Sequence, residues 1–396
     1  MAINRGFHAH AQVRLIILKS HWQHMGANSG FPLSDVLSSI LPPTQVEVLP
    51  LSQSVPVTPW HLRVARKLRG FPNPNSLPDI DANAGSPWAT ERHRILARAA
   101  LSKLDRHQNS VLLLPAAEDE LCPEFACAGI DQKKRIFICF HQPPSWFRLH
   151  WRRLEDLNSF GGIICLAEDQ AEFFRSACQT PVHLIRHGVR HDFFRPPVEF
   201  TERKGNRLLF VGQWLRDFET LANAMLLIWS SNPNIKLDCV VPRFARDSVH
   251  LRQLAMDKRV SWHSDLPDVK LRRLYQEADL LFLPVLDAVA NNAVLEALAS
   301  GLPVVSTQVG GMVNYLPTCA GLLCKSRDSQ SHAEAVCELM NSPSARIEAG
   351  NCARRFAVQH HDWGRIGRQL LDFIVIQSHT VCPDLNDQGR RRAGVN

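Results

Sequence analysis

A chain of 396 residues with 45% apolar and 21% charged content is long enough for two soluble domains, each with its own core. It holds no apolar run of about 18 residues, and the start MAINRGFHAHAQVR lacks the apolar core and cleavage site of a secretory signal, so neither a membrane span nor export is indicated. The formal charge of +7 lies mostly in the first half: residues 1–206 carry 24 Lys+Arg against 19 Asp+Glu, and the remainder 21 against 19. This suits anionic partners such as phosphorylated acceptors or lipid headgroups, but no cluster is dense enough for nucleic acid. The 11 cysteines are scattered singly, which points to reduced, mostly buried thiols of a cytoplasmic protein.

In chain order, Val13–Leu18 reads as a strand, 19–30 (KSHWQHMGANSG) as a loop and Leu33–Ile40 as a helix. Gly26 and Gly30 in that loop are a weak cradle signal. His21 and His24 lack further ligands at metal spacing. Thr58-Pro59-Trp60 opens a helix closed by Gly70, with Trp60, Val64 and Leu68 on one face and Arg63, Arg66, Lys67 and Arg69 without an acidic partner. It can lie on an anionic membrane; packing on a sheet with a solvated basic face is the plainer reading. Residues 72–88 read as loop, and Asp79-Ile80-Asp81 lacks the preceding strand that a DxD metal motif needs. Arg92–Leu104 reads as a helix, Val111–Leu114 as a strand, and Arg135–Phe140 as a strand ending at His141-Gln142-Pro143-Pro144. The prolines stop strand pairing, so His141 stands at a carboxyl strand end. Strand 161–166, helix 168–177 and strand 182–185 lead to His187-Gly188-Val189 and a polar, proline-led linker.

A second alternation of strands and helices begins at Arg207–Val211, followed by Gly212-Gln213-Trp214-Leu215-Arg216-Asp217. Strands at 237–241 and 260–262 and a helix at 271–278 precede LLFLPVLDAVANNAVLEALASGLPVVSTQVGG, residues 280–311. That stretch reads as a buried strand, a turn where Asn291 and Asn292 can cap, a helix carrying Glu296, a Gly301 stop, a second buried strand and the Gly310-Gly311 turn. The helix start lies at a carboxyl strand end, where parallel sheets bind phosphate, and Glu296 stands one turn inside. A carboxylate there would repel an anion but would bind a nucleotide ribose. Helices at 333–340, 345–358 and 363–374 close the fold, and Thr380–Asn396 is expected to be disordered.

Glu296-Ala297-Leu298-Ala299-Ser300-Gly301-Leu302-Pro303-Val304-Val305 resembles the donor-site motif of retaining family 4 (group 1) glycosyltransferases of GT-B architecture. The resemblance covers roughly residues 13–376. It implies an α/β GT-B fold of two Rossmann-like parallel-sheet domains facing across a cleft. The expected division is an acceptor-side domain (1–196), a linker (197–206), a nucleotide-sugar domain (207–360), a helix crossing back (361–378) and a tail (379–396). It also implies transfer of a sugar, with retention, from a nucleotide diphosphate donor to a glycan or lipid-linked acceptor, without cofactor or metal. Residue by residue, it implies that Glu296 holds the ribose and His141, after Phe140, orients the sugar. Arg216, with Gly212 and Gln213, faces the diphosphate. The turn from His263 reads the base through backbone groups, and Asn291, Asn292, Ala293, Gly310 and Gly311 line the donor. The loop with His21, Gly26, Asn28 and Gly30 approaches both substrates, the acceptor among them. Ala288 stands where the first motif glutamate is usual, Gln213 where an arginine is usual, and Asn291, Asn292 and Ala293 depart from the usual Gly-aromatic-Gly. These departures leave open a non-catalytic nucleotide-sugar or glycan binding protein. A different enzyme on the same fold, such as an epimerase or phosphorylase, is the third alternative.

Overall fold

The computed structural model describes residues 13–19, 33–50, 91–151, 153–197 and 205–381. They form two compact units, one of residues up to Ile185 together with those from Gly367 onward, the other running from Arg186 to Ile366. The linker and tail expected from the sequence fall largely outside the described residues, as do the loop with His21, Gly26, Asn28 and Gly30, the basic segment 58–70 and Asp79 to Asp81.

The first unit is a six-stranded parallel sheet. Its strands are β1 (Arg14–Lys19), β2 (Val46–Pro50), β3 (Ser110–Leu114), β4 (Ile136–Cys139), β5 (Gly162–Cys165) and β6 (Val182–Leu184), in the order β2-β1-β3-β4-β5-β6. β3, β4 and β5 are buried throughout, because helices cover both faces of a parallel sheet and an apolar residue gains at every position. Helices α1 (Leu33–Ile40), α2 (Glu91–Arg106) and α3 (Glu168–Ala177) belong to this layer. β2 (VEVLP) has no regular burial pattern and ends in proline, as an edge strand can. It is fixed by register, Leu15 opposite Val46, and by Glu47, whose carboxylate meets Lys103 at 2.6 Å and Arg14 at 2.7 Å.

The second unit repeats the plan with β7 (Arg207–Val211), β8 (Lys236–Val240), β9 (Val260–His263), β10 (Leu280–Leu283), β11 (Val304–Thr307) and β12 (Gly321–Cys324). The order is β12-β11-β10-β7-β8-β9, parallel throughout. From β7 the chain winds outward through β8 and β9, then returns to the other side of β7 and winds outward again. The switch point of the sheet therefore lies between β7 and β10. Buried Asp279 anchors the start of β7 by accepting the backbone N–H groups of Gly205, Asn206 and Arg207 at 2.9–3.0 Å. Helices α4 (Phe218–Ser231), α5 (Asp268–Glu277), α6 (Asn292–Ala299) and α7 (Pro343–His360) flank this sheet. Arg354 of α7 donates to the Ala299 carbonyl at the end of α6 at 2.7 Å, satisfying an end carbonyl that the helix itself cannot. The last helix, α8 (Trp363–Val381), packs within the first unit through Phe373, edge-on to Phe137 at 5.9 Å and stacked on His183 at 4.6 Å.

The cysteine expectation needs correction. Cys319 and Cys352 form a disulfide, with Cα atoms 5.9 Å apart. Their separation of 33 residues gave no spacing signal, and the fold brings the turn before β12 onto α7. Among the described residues no helix is long and apolar enough to cross a membrane.

Candidate functional site

The loops that leave the carboxyl ends of β7 and β10 flank the switch point, where open parallel sheets bind ligands. The loop after β7 carries Gly212, Gln213 and Arg216, and the loop after β10 leads to Asn291 and α6. They are joined by a bridge between Arg216 and Val285, and by backbone bonds from Asp217 N–H to Pro284 and from Leu286 N–H to Leu215, at 3.0 and 2.9 Å. Asp217 then caps α4, accepting from the Thr220 N–H at 3.0 Å and the Thr220 hydroxyl at 2.7 Å.

Arg216 is folded back over its own loop. Its Nε donates to the Val211 carbonyl at 2.9 Å, Nη1 to the Trp214 carbonyl at 3.0 Å, and Nη2 to Asn291 Oδ1 at 3.4 Å. Gly212 makes this seat possible. Its φ is +92°, and a Cβ there would stand 2.8 Å from Arg216 Nη2. Loss of water around the guanidinium brings its pKa down to about 10, which still leaves a cation at neutral pH.

Asn291 caps α6 with an extended backbone, its Oδ1 accepting the N–H groups of Ala293 at 3.1 Å and Val294 at 3.4 Å. Glu296, one turn on, is 4% exposed. Burial pushes its carboxyl up to about 8, with a pull in the other direction from the Tyr275 hydroxyl and a further rise from Asp268. Tyr275, on α5, is fully buried and sits edge-on to Phe194. Its hydroxyl lies beside Glu296 without a well-aligned hydrogen bond to any described group. The Gly310-Gly311 turn closes this end of the sheet. Gly310 has φ +45°, a Cβ there would lie 2.3 Å from the Ala288 carbonyl oxygen, and the Gly311 N–H donates to that carbonyl at 2.8 Å.

Of the residues singled out in the sequence, Gly212, Gln213, Arg216, Asn291, Asn292, Ala293, Glu296, Gly310 and Gly311 thus lie on loops at the carboxyl ends of β7, β10 and β11 or on the helix that follows. His263 lies at the carboxyl end of β9, and its imidazole is held by Asp238 at 2.8 Å, itself paired with Arg207 at 2.8 Å. Tyr275 was not singled out, because a tyrosine in an amphipathic helix reads as packing. Arg246 donates twice to the Val241 carbonyl and lies over the Trp262 ring at 5.3 Å.

In the first unit, His141 follows β4. Buried Glu118 braces it, accepting its backbone N–H at 3.0 Å and lying 3.3 Å from Nδ1. Gln170 donates to the carbonyls of Phe140 at 3.0 Å and Gln142 at 2.9 Å. Glu118 also escaped the sequence reading, since nothing in AAEDEL announces which carboxylate turns inward. Next to it, burial and the charges of Glu118 and Glu120 raise Asp119 to about 9.

Residues 205–342 match the model of a protein family described as Glycosyl transferases group 1. That match spans the switch-point loops of the second unit. Over 232 residues the chain is 27% identical to a D-inositol 3-phosphate glycosyltransferase of Corynebacterium aurimucosum, covering 53% of this chain and 54% of that protein. The chain therefore spans about half the length of this curated relative. Among solved structures, a sucrose-phosphate synthase from Thermosynechococcus elongatus superposes with a TM-score of 0.66 at 15% identity, over 90% of this chain and 97% of that one. Anabaena HepE, in complex with UDP and glucose, gives 0.63 at 13% identity, over 90% and 98%. The fold is GT-B. The two parallel α/β sheets expected from the alternation of strands and helices are present, each with six strands among the described residues.

Proposed function

We propose that the chain is a glycosyltransferase that moves a sugar from a nucleotide diphosphate donor to a glycan or lipid-linked acceptor, with retention at the anomeric carbon. The observation that carries this reading is the set Arg216, Asn291 and Glu296 at the switch point of the sheet, inside the matched segment 205–342. Glu296 would bind the ribose hydroxyls, and the cationic Arg216, with the first amides of α6, would stabilise the departing diphosphate. That phosphate would accept the proton of the incoming acceptor hydroxyl, while His141, held by Glu118, orients the sugar. No cofactor or metal is invoked. The similarity to a D-inositol 3-phosphate glycosyltransferase makes a phosphorylated polyol a sensible first acceptor to try. The experiment is a binding and turnover screen of UDP, GDP and ADP with their sugars, in which a bound nucleotide raises the melting temperature. The reading fails if none binds.

A second reading, a nucleotide-sugar or glycan binding protein without catalysis, is favoured by one observation. Arg216 is the cation of this loop, Gln213 replaces its usual partner, and all three of its nitrogen atoms already have acceptors. If the parent releases no nucleoside diphosphate from any sugar donor and Gln213→Arg does, this second reading holds. Association with anionic membranes through residues 58–70, at an inner membrane face, is a further proposal. A charge-reversed segment should lose any stimulation by anionic vesicles.

A further inference from the structure

Three donors from two separate elements converge on one neutral oxygen. Asn291 Oδ1 accepts from the Ala293 N–H at 3.1 Å, the Val294 N–H at 3.4 Å and Arg216 Nη2 at 3.4 Å, and Asn291 is 6% exposed. Two are free amides of the positive end of α6, and the third is a guanidinium. Such donors suit a phosphate oxygen better than a carboxamide oxygen. An independent mark of an unfinished polar network lies close by: the fully buried Tyr275 hydroxyl beside Glu296 has no well-aligned partner among the described residues.

We propose that Asn291 is an affinity-determining residue that occupies the anion position with its own side chain, so that a nucleoside diphosphate binds by displacing it. The inference rests on the functional reading above and adds to it the role of this one side chain. In the free protein the carboxamide caps α6 and helps hold Arg216 folded back. When a diphosphate arrives, its oxygens take the two amides and the guanidinium, and the carboxamide swings away. Part of the binding free energy is then spent on breaking the cap. A residue that contacted the ligand directly would behave in the opposite way. Its loss would weaken binding, whereas loss of a competitor tightens it.

The test is isothermal titration of UDP, and separately of inorganic pyrophosphate, into the full-length parent, Asn291→Gly and Asn291→Ala. The backbone at 291 has φ −120° and ψ 107°, which any residue adopts, and glycine is an acceptable cap residue, so the two variants do not share one folding liability. Asn291→Ala should bind UDP about two- to tenfold more tightly, the worth of one or two capping hydrogen bonds, and Asn291→Gly up to about twofold more tightly, since glycine loses less of the cap. Both should melt lower than the parent without ligand. In an Arg216→Ala background the gain should shrink. If the parent binds UDP and both variants bind it equally or more weakly, the inference is wrong while the functional reading stands. If the parent binds neither UDP, GDP, ADP nor pyrophosphate, the functional reading fails and takes the inference with it.

Discussion

Replacing Glu296 by Gln is the perturbation that exposes the cost of the site. The folded carboxyl holds its proton up to about 8, against an ordinary value of 4.5, because it is buried, with Asp268 adding to the rise and Tyr275 opposing it. Below pH 4.5 both folded and unfolded chains carry the protonated form, and the group costs nothing through ionisation. Between 4.5 and 8 the unfolded chain binds fewer protons than the folded one, so stability falls as pH rises, and above 8 the loss is complete. At 1.36 kcal/mol per unit the penalty is about 3 kcal/mol at pH 7 and about 4–5 kcal/mol at pH 9. Glutamine keeps the shape and cannot ionise. Glu296→Gln should therefore be no more stable than the parent at pH 4, and more stable by about these amounts at pH 7 and 9. The assay is urea unfolding of parent and variant at the three pH values, followed by a probe in the second unit. The same variant should bind nucleotide more weakly at pH 7, by about 0.5–1.5 kcal/mol for each hydrogen bond lost, since the carboxyl it replaces is neutral there. A stability difference that does not change with pH would refute the reasoning, since it would mean that Glu296 ionises normally in the fold.

Arg216→Ala should lower turnover by about 2.7–4 kcal/mol in activation free energy, whereas Arg252→Ala, which removes an exposed arginine, should leave it unchanged; equal effects would remove Arg216 from the mechanism. His141→Ala should lower turnover at least about tenfold with little change in donor affinity, because a contact that tightens only in the transition state shows in the rate. A normal rate in a folded variant would dismiss it. Gly310→Ala places a Cβ 2.3 Å from the Ala288 carbonyl oxygen at φ +45°, so it should cost at least about 1–3 kcal/mol of stability, and an unchanged unfolding midpoint would contradict the geometry of the turn.

Much of this fold was legible because parallel strands buried on both faces announce themselves. VLLL, IFIC and LLFL are short apolar runs, VVST opens on two buried valines, and each lies in a strand of one of the two sheets. β2 and β12 were not legible. VEVLP is a partly exposed edge segment, and GLLC begins with glycine, which carries no strand signal. The cap at Asn291 and the end of α6 at Gly301 followed from local chemistry, since only the backbone of neighbouring residues is involved. What the sequence could not give was any fact made by residues distant in the chain. Three examples are the folding of Arg216 back onto Asn291, the inward turn of Glu118 against His141, and the meeting of Cys319 with Cys352. The protonation of Glu296 belongs with them, because it depends on burial and on Tyr275 and Asp268 of α5, about 20 residues or more away in the chain.

The measurement that bears most directly on the central claim is the release of nucleoside diphosphate from UDP-, GDP- and ADP-sugars, followed over time with and without a phosphorylated polyol or glycan acceptor. The account predicts release with one base, stimulated by acceptor, accompanied by a glycosylated product of unchanged anomeric configuration, and largely lost in Arg216→Ala. Binding of a nucleotide sugar without release under any of these conditions, or a product of inverted configuration, would contradict it.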